Sequence, residues 1–123
     1  MSKSFFKTEK IKIIKNSKGN LYKMLSKKHN FFKKFGEIYF SEVRPEKFKG
    51  WKYHEKRTQI ITVVFGKVRF FLKKKMTNKP KVVDIGFPSK MKLLKIEPKT
   101  YYSFKCSSKK KSVIINLIDE IVE

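Results

Sequence analysis

The sequence predicts an all-β protein of the sandwich, jelly-roll or barrel kind. Eight or more short runs rich in Val, Ile, Phe, Tyr and Thr recur along 123 residues, each bounded by Gly, Pro, Asn or Ser. No segment of useful length carries the 3.6-residue apolar period of a helix. Many short strands with regular turn signals are what double-sheet and closed β architectures need. One domain over residues 1–123 is expected, and a hydrophobic content of 40% with 12 Phe suffices for a core.

Taken in order, residues 1–8 read as a frayed end or an added edge segment. Residues 11–14 read as a strand, 16–20 as a turn by composition, and 21–25 as a second short strand. The polar and basic stretch 26–34 reads as a loop despite Phe31 and Phe32. Residues 37–43 alternate as a strand should, and Pro45 ends it, because proline has no N–H for the ladder. Gly50 and Trp51 read as a turn that sets His54 at the start of a strand. The run 58–65, TQIITVVF, is rich in β-branched residues and reads as a central buried strand. Gly66 and Lys67 read as a hairpin turn into a strand over 68–72. Residues 76–81 turn around Pro80, and 82–85 form a strand. Strands at 91–96 and 101–104 flank the turn at Pro98. A last strand covers 112–117, and 118–123 continue it or turn briefly helical.

The net charge of +22 raises the question of nucleic acid. Only three of the 32 basic residues are Arg (Arg44, Arg57 and Arg69), whereas bidentate contacts to phosphates and bases favour Arg. The lysines are also scattered along the chain. Nucleic acid is therefore not the expected partner, although a basic nucleic-acid-binding β-barrel stays open as a third reading. The field would still draw an anionic ligand towards a site. No run approaches the roughly 20 apolar residues that span a bilayer, so no membrane association is expected. The first residues lack the apolar core and cleavage site of a signal peptide. A single cysteine, Cys106, has no internal partner and fits a reducing cytoplasm.

Chemistry is narrowed by elimination. A jelly-roll metal site needs two or three His with a carboxylate, and this chain has only His29 and His54, so no metal and no cofactor are expected. Neither a nucleophile elbow nor a Gly-rich phosphate loop is present. What remains is acid–base chemistry on one imidazole. His54, with an ordinary pKa of about 6.5, suits proton abstraction near neutrality. It reads equally as a half-buried strand histidine without chemistry. Alternation places Lys52 on the His54 side, with Trp51 and Tyr53 on the other. Gln59 follows on the next strand.

Three segments carry a family resemblance. They are Gly36-Glu-Ile-Tyr-Phe-Ser-Glu-Val43 with Lys49-Gly-Trp-Lys-Tyr-His54, then Ile96-Glu-Pro-Lys-Thr-Tyr-Tyr-Ser-Phe104, then Ser112-Val-Ile-Ile-Asn-Leu117. Together they resemble, from about residue 11 to 117, the sugar-nucleotide cupins. That group holds the dTDP-4-dehydrorhamnose 3,5-epimerases and the sugar-nucleotide 3,4-ketoisomerases. The epimerases' catalytic histidine falls at Lys52, their second-motif histidine at Tyr102, and their late tyrosine has no counterpart. The ketoisomerases' Gly-x-His-x-His followed by Gln reads here as Gly50, Lys52, His54 and Gln59. The resemblance implies a cupin, a double-stranded β-helix jelly roll, which pairs as a homodimer through edge strands. It implies proton transfer on a dTDP- or UDP-linked 4-keto-6-deoxy sugar, in lipopolysaccharide or capsule synthesis. His54, Lys52 and Tyr39 would then be catalytic. Arg44 would pair with the diphosphate, and Gln59, Tyr102 and Trp51 would line the substrate. The alternative is a non-catalytic cupin that binds a sugar nucleotide or a glycan-enzyme partner.

Overall fold

A computed structural model describes residues 4–121. Ten strands follow in order: β1 (Phe6–Glu9), β2 (Lys12–Ile14), β3 (Leu21–Lys23), β4 (Glu37–Val43), β5 (Phe48–Tyr53), β6 (Gln59–Lys73), β7 (Lys81–Phe87), β8 (Leu93–Ile96), β9 (Tyr101–Cys106) and β10 (Ser112–Ile118). The described residues contain no helix. Residues 1–3 and 122–123 of the expected end segments lie outside the described part.

The long strand β6 organises the molecule. Its first half lies between β8 and β10, with β1 beyond β8 and β4 beyond β10. Its second half lies between β7 and β9, with β5 beyond β9. Two antiparallel sheets thus share one strand and close over a common core, the all-β jelly roll that the turn pattern predicts. Ile61 and Val63 point into this core before the bend, and Val68, Phe70 and Leu72 after it. The inward set changes from odd to even numbers, as one extra residue in a strand requires. The pairing with β10 shifts register there, between Val113 and Ile114.

Gly66 is therefore not a hairpin turn. The strand passes through it from one sheet to the other, because each half has partners elsewhere in the chain. Its φ is +87°, and a Cβ would stand 2.3 Å from Ser112 Oγ, so only glycine fits. Ser112 ties the corner: its Oγ accepts from the Lys67 N–H at 3.0 Å and lies as near, 3.0 Å, to the Lys67 carbonyl. Behind it Cys106 is fully buried, its Sγ 3.2 Å from Ser112 Oγ and 3.3 Å from Ser108 Oγ.

Of the two readings of the first residues, Phe6–Glu9 takes that of an added edge strand, paired with β8. One further expectation changes. Gly50 and Trp51 lie inside β5 at a register irregularity, so His54 follows a strand end instead of starting one. The β2–β3 hairpin and the loop after it cover part of the first sheet's outer face, where Phe31, Ile60, Leu93 and Leu117 form a second apolar layer.

Candidate functional site

The inner side of the sandwich collects a polar cluster at the end where β5 stops and β6 begins. His54 leaves β5 and its carbonyl accepts the Lys99 N–H at 2.8 Å, which fixes the backbone against the turn at Pro98. Its Nε2 lies 3.4 Å from Tyr102 Oη on β9. Its Nδ1 lies 3.3 Å from Arg57 Nη1. Guanidinium has only donors, so Nδ1 is the accepting nitrogen and the neutral ring carries its hydrogen on Nε2, towards Tyr102.

A second group joins through β10. Asn116 pairs in register with Tyr39 on β4 and with Ile61 on β6. Its Nδ2 donates to Tyr39 Oη at 3.1 Å and to Gln59 Oε1 at 2.6 Å. Both Asn116 and Gln59 are buried, and Asn116 Oδ1 has no hydrogen-bond partner among the described residues. A buried acceptor without a donor is costly. It is a ready place for a ligand hydroxyl.

Charge and burial set the protonation states. Burial lowers the His54 pKa from its ordinary value, and Arg57 and then Lys52 push it the same way. His54 is thus a neutral imidazole at pH 7. Burial raises the Tyr102 phenol far above its usual value and raises Tyr39 as well, so both stay protonated donors. Withdrawal from water lowers the Lys52 pKa, with help from Lys49. Its Nζ lies 5.6 Å from the centre of the Phe104 ring, on the core side of the sheet. Beside His54 an open cleft of about 270 Å³ is lined by Tyr53, His54, Glu55, Lys56, Arg57 and Glu120.

Of the residues singled out from the sequence, the fold gathers His54, Lys52, Tyr39, Gln59 and Tyr102. Arg44 and Trp51 stand apart. Arg44 is exposed beyond the end of β4, near Glu42. Trp51 packs against Phe48 and lies over Lys73 Nζ at 4.3 Å. Lys73 alternates with the core residue Leu72, so Trp51 is on the outer face of the second sheet. Sequence reasoning passed over Arg57 and Asn116. Arg57 sits in a run of charges that reads as solvated surface. Asn116 had a signal, a polar side chain amid the apolar SVIINLI strand. Among the described residues no three His, Cys, Asp or Glu side chains group as metal ligands.

No protein-family model and no curated protein sequence matches the chain. Solved structures do. A dTDP sugar isomerase from Desulfovibrio desulfuricans G20 is 29% identical with a TM-score of 0.85, over 96% of this chain and 78% of that one. A sugar 3,4-ketoisomerase from Thermoanaerobacterium thermosaccharolyticum, solved with TDP, is 22% identical with a TM-score of 0.80, over 97% and 83%. A dTDP-6-deoxy-D-glucose-3,5-epimerase from Legionella pneumophila Philadelphia 1, solved with dTDP-4-keto-L-rhamnose, is 13% identical with a TM-score of 0.85, over 100% and 71%. The structural likeness falls on the same proteins as the sequence resemblance, and this chain shares the all-β fold of these isomerases and epimerases.

Proposed function

We propose that the protein isomerises a nucleotide-linked 4-keto-6-deoxy sugar by proton transfer at His54, in the manner of a 3,4-ketoisomerase. The observation that carries this is the neutral His54 held between Tyr102 and Arg57 beside an open cleft. The diphosphate of the sugar nucleotide takes over the Arg57 guanidinium, a charge-assisted pairing stronger than the one to an imidazole. Nδ1 is then free to accept a proton. Removing the proton from C3, beside the C4 ketone, leaves an enediolate. Tyr39 or Lys52 stabilises its oxygen as charge develops. Returning the proton to C4, while the O3 hydroxyl hydrogen passes to O4, gives the 3-keto sugar. One imidazole serving two adjacent carbons suffices for this, whereas epimerisation needs a second acid on the opposite face of the ring.

The test is proton NMR in heavy water with dTDP-4-keto-6-deoxyglucose. The expected result is a keto group moved to C3, with deuterium at C4. In His54→Asn both should fall by about 10²-fold or more with folding intact, the scale of general-base loss. Full turnover in that variant would sink the proposal. Binding without any exchange would favour the non-catalytic reading, which the loss of one family histidine to Lys52 supports.

The same proposal includes a second copy of the chain. The outer face of the first sheet leaves Ile38 and Phe40 of β4 and Phe65 of β6 in water, with Phe40 74% exposed. Apolar side chains grouped this way on a sheet mark an association surface.

A further inference from the structure

The outer face of the second sheet collects aromatic rings that the proposed chemistry does not use. The ring centre of Phe48 lies 6.5 Å from that of Trp51 and 6.1 Å from that of Phe71. Tyr53 and Tyr101 pack beside them at 4.5 Å. Register explains the gathering. Phe48 faces Lys105 across β5 and β9, and Tyr53 faces Tyr101, while Phe71 and Lys73 project outward from β6. Phe48 and Tyr53 stand in water, 51% and 39% exposed, while Trp51, Phe71 and Tyr101 are partly covered. Trp51 and Tyr53 are two positions apart, about 7 Å along the strand, which suits successive bases of an extended strand.

Charge says what covers such a face. Lys105 and Arg69 stand within it, and Lys73 lies against the Trp51 ring. Lys105 pairs with Glu46 at 3.1 Å, and Arg69 with Asp84 at 2.8 Å. Exposed pairs of this kind are worth about 1 kcal/mol or less, so a polyanion displaces the acids readily. With a net charge of +22, a second copy or another basic protein is repelled from this basic face. A neutral glycan would make no use of the lysines. Stacking rings set among cations are the features by which proteins hold single strands without reading sequence. Such binding does not need the bidentate arginines whose scarcity spoke against nucleic acid.

We propose that this face binds single-stranded nucleic acid, with bases stacking on Trp51 and Phe48 and phosphates meeting Lys105 and Arg69. The His54 cluster lies on the core side of the same sheet, and Tyr53, which lines the cleft beside His54, is the ring the two share. Trp51 is the only tryptophan, so its emission reports occupancy directly.

The experiment titrates the full chain with a twelve-nucleotide oligothymidine, the corresponding duplex, and neutral dextran, following tryptophan emission. The expected result is quenching by the single strand in preference to the duplex. Two neutralised phosphates give a log–log salt slope of about −1.4. Phe48→Ala should weaken binding about ten-fold with an unchanged melting curve, the scale of one lost stacking contact. Lys105→Gln should reduce the slope by about 0.7. Replacing Lys27 and Lys28 with Gln, on the far side of the molecule, should change affinity by less than about two-fold. No quenching, equal affinity for the duplex, or indifference to Phe48→Ala would overturn the proposal. Quenching by dextran as strong as by the oligonucleotide would overturn it too, and would give the face to a glycan.

Discussion

At the scale of single residues, the centre of interest is an imidazole without a carboxylate. Among the described residues the side-chain hydrogen-bond neighbours of His54 are a phenol and a guanidinium, and no carboxylate bonds to the ring. The sign of its pH dependence follows. The base must be neutral to act, and its pKa lies below the ordinary value, mainly through burial and then through Arg57. In the proposed reaction, kcat/KM should rise with pH up to a midpoint below about 6.5 and stay level above it. Arg57→Ala removes one of the causes that hold the pKa down. The midpoint should move up towards 6.5 while KM rises, because the diphosphate loses its partner. A pH–rate profile of the two proteins decides it; an unmoved midpoint would show that Arg57 does not act on His54. These two residues also show how far the sequence could be read. His54 was legible because histidine is scarce here and has one common chemistry. Arg57, three residues on, was not, because one more cation in a lysine-rich chain carries no contrast. Asn116 became meaningful only once β10 was laid between β4 and β6.

At the scale of elements, local signals placed most strands and failed where the partners were distant. The strand at 37–43 showed itself by alternation and by Pro45, and the last strand, expected over 112–117, runs one residue further to Ile118. The hairpin expected at Gly66 did not form, although a Gly-Lys pair between two apolar runs is a sound local turn signal. Its two flanking runs pair with four other strands instead of with each other. Nothing within five residues of Gly66 encodes those partners. The corner itself makes a sharp prediction. Gly66→Ala adds a methyl group where Ser112 Oγ stands 2.3 Å away, at a positive φ. It should cost about 2–4 kcal/mol of stability, from backbone strain and crowding together. Urea unfolding would show this as a lower midpoint with an unchanged slope. A loss below about 0.5 kcal/mol would mean that the corner yields more easily than its packing suggests.

For the whole molecule, the two sheets present outer faces of different kinds. The first leaves Ile38, Phe40 and Phe65 exposed and apolar, while the second mixes rings with cations. If the first is where two copies meet, Phe40→Glu should convert a dimer into a monomer in light scattering. A chain that is monomeric from the start, or a variant that stays dimeric, would remove that face from the assembly. The fold class was legible from turn spacing alone because the short, β-branched runs leave no room for helices. The two-sided character of the surface was not, since it depends on which residues the bend at Gly66 turns outward.

Cys106 gives this corner a built-in clock. It is the only thiol in the chain, fully buried beside Ser112 at the junction of the two sheets. A thiol reagent can label it only in molecules whose corner has opened. Labelling in native buffer therefore reads how often the Ser108–Ser112 segment that covers this corner opens, without any probe being introduced. With fast reclosing the rate measures the free energy of that opening, and with excess reagent it measures the opening rate itself.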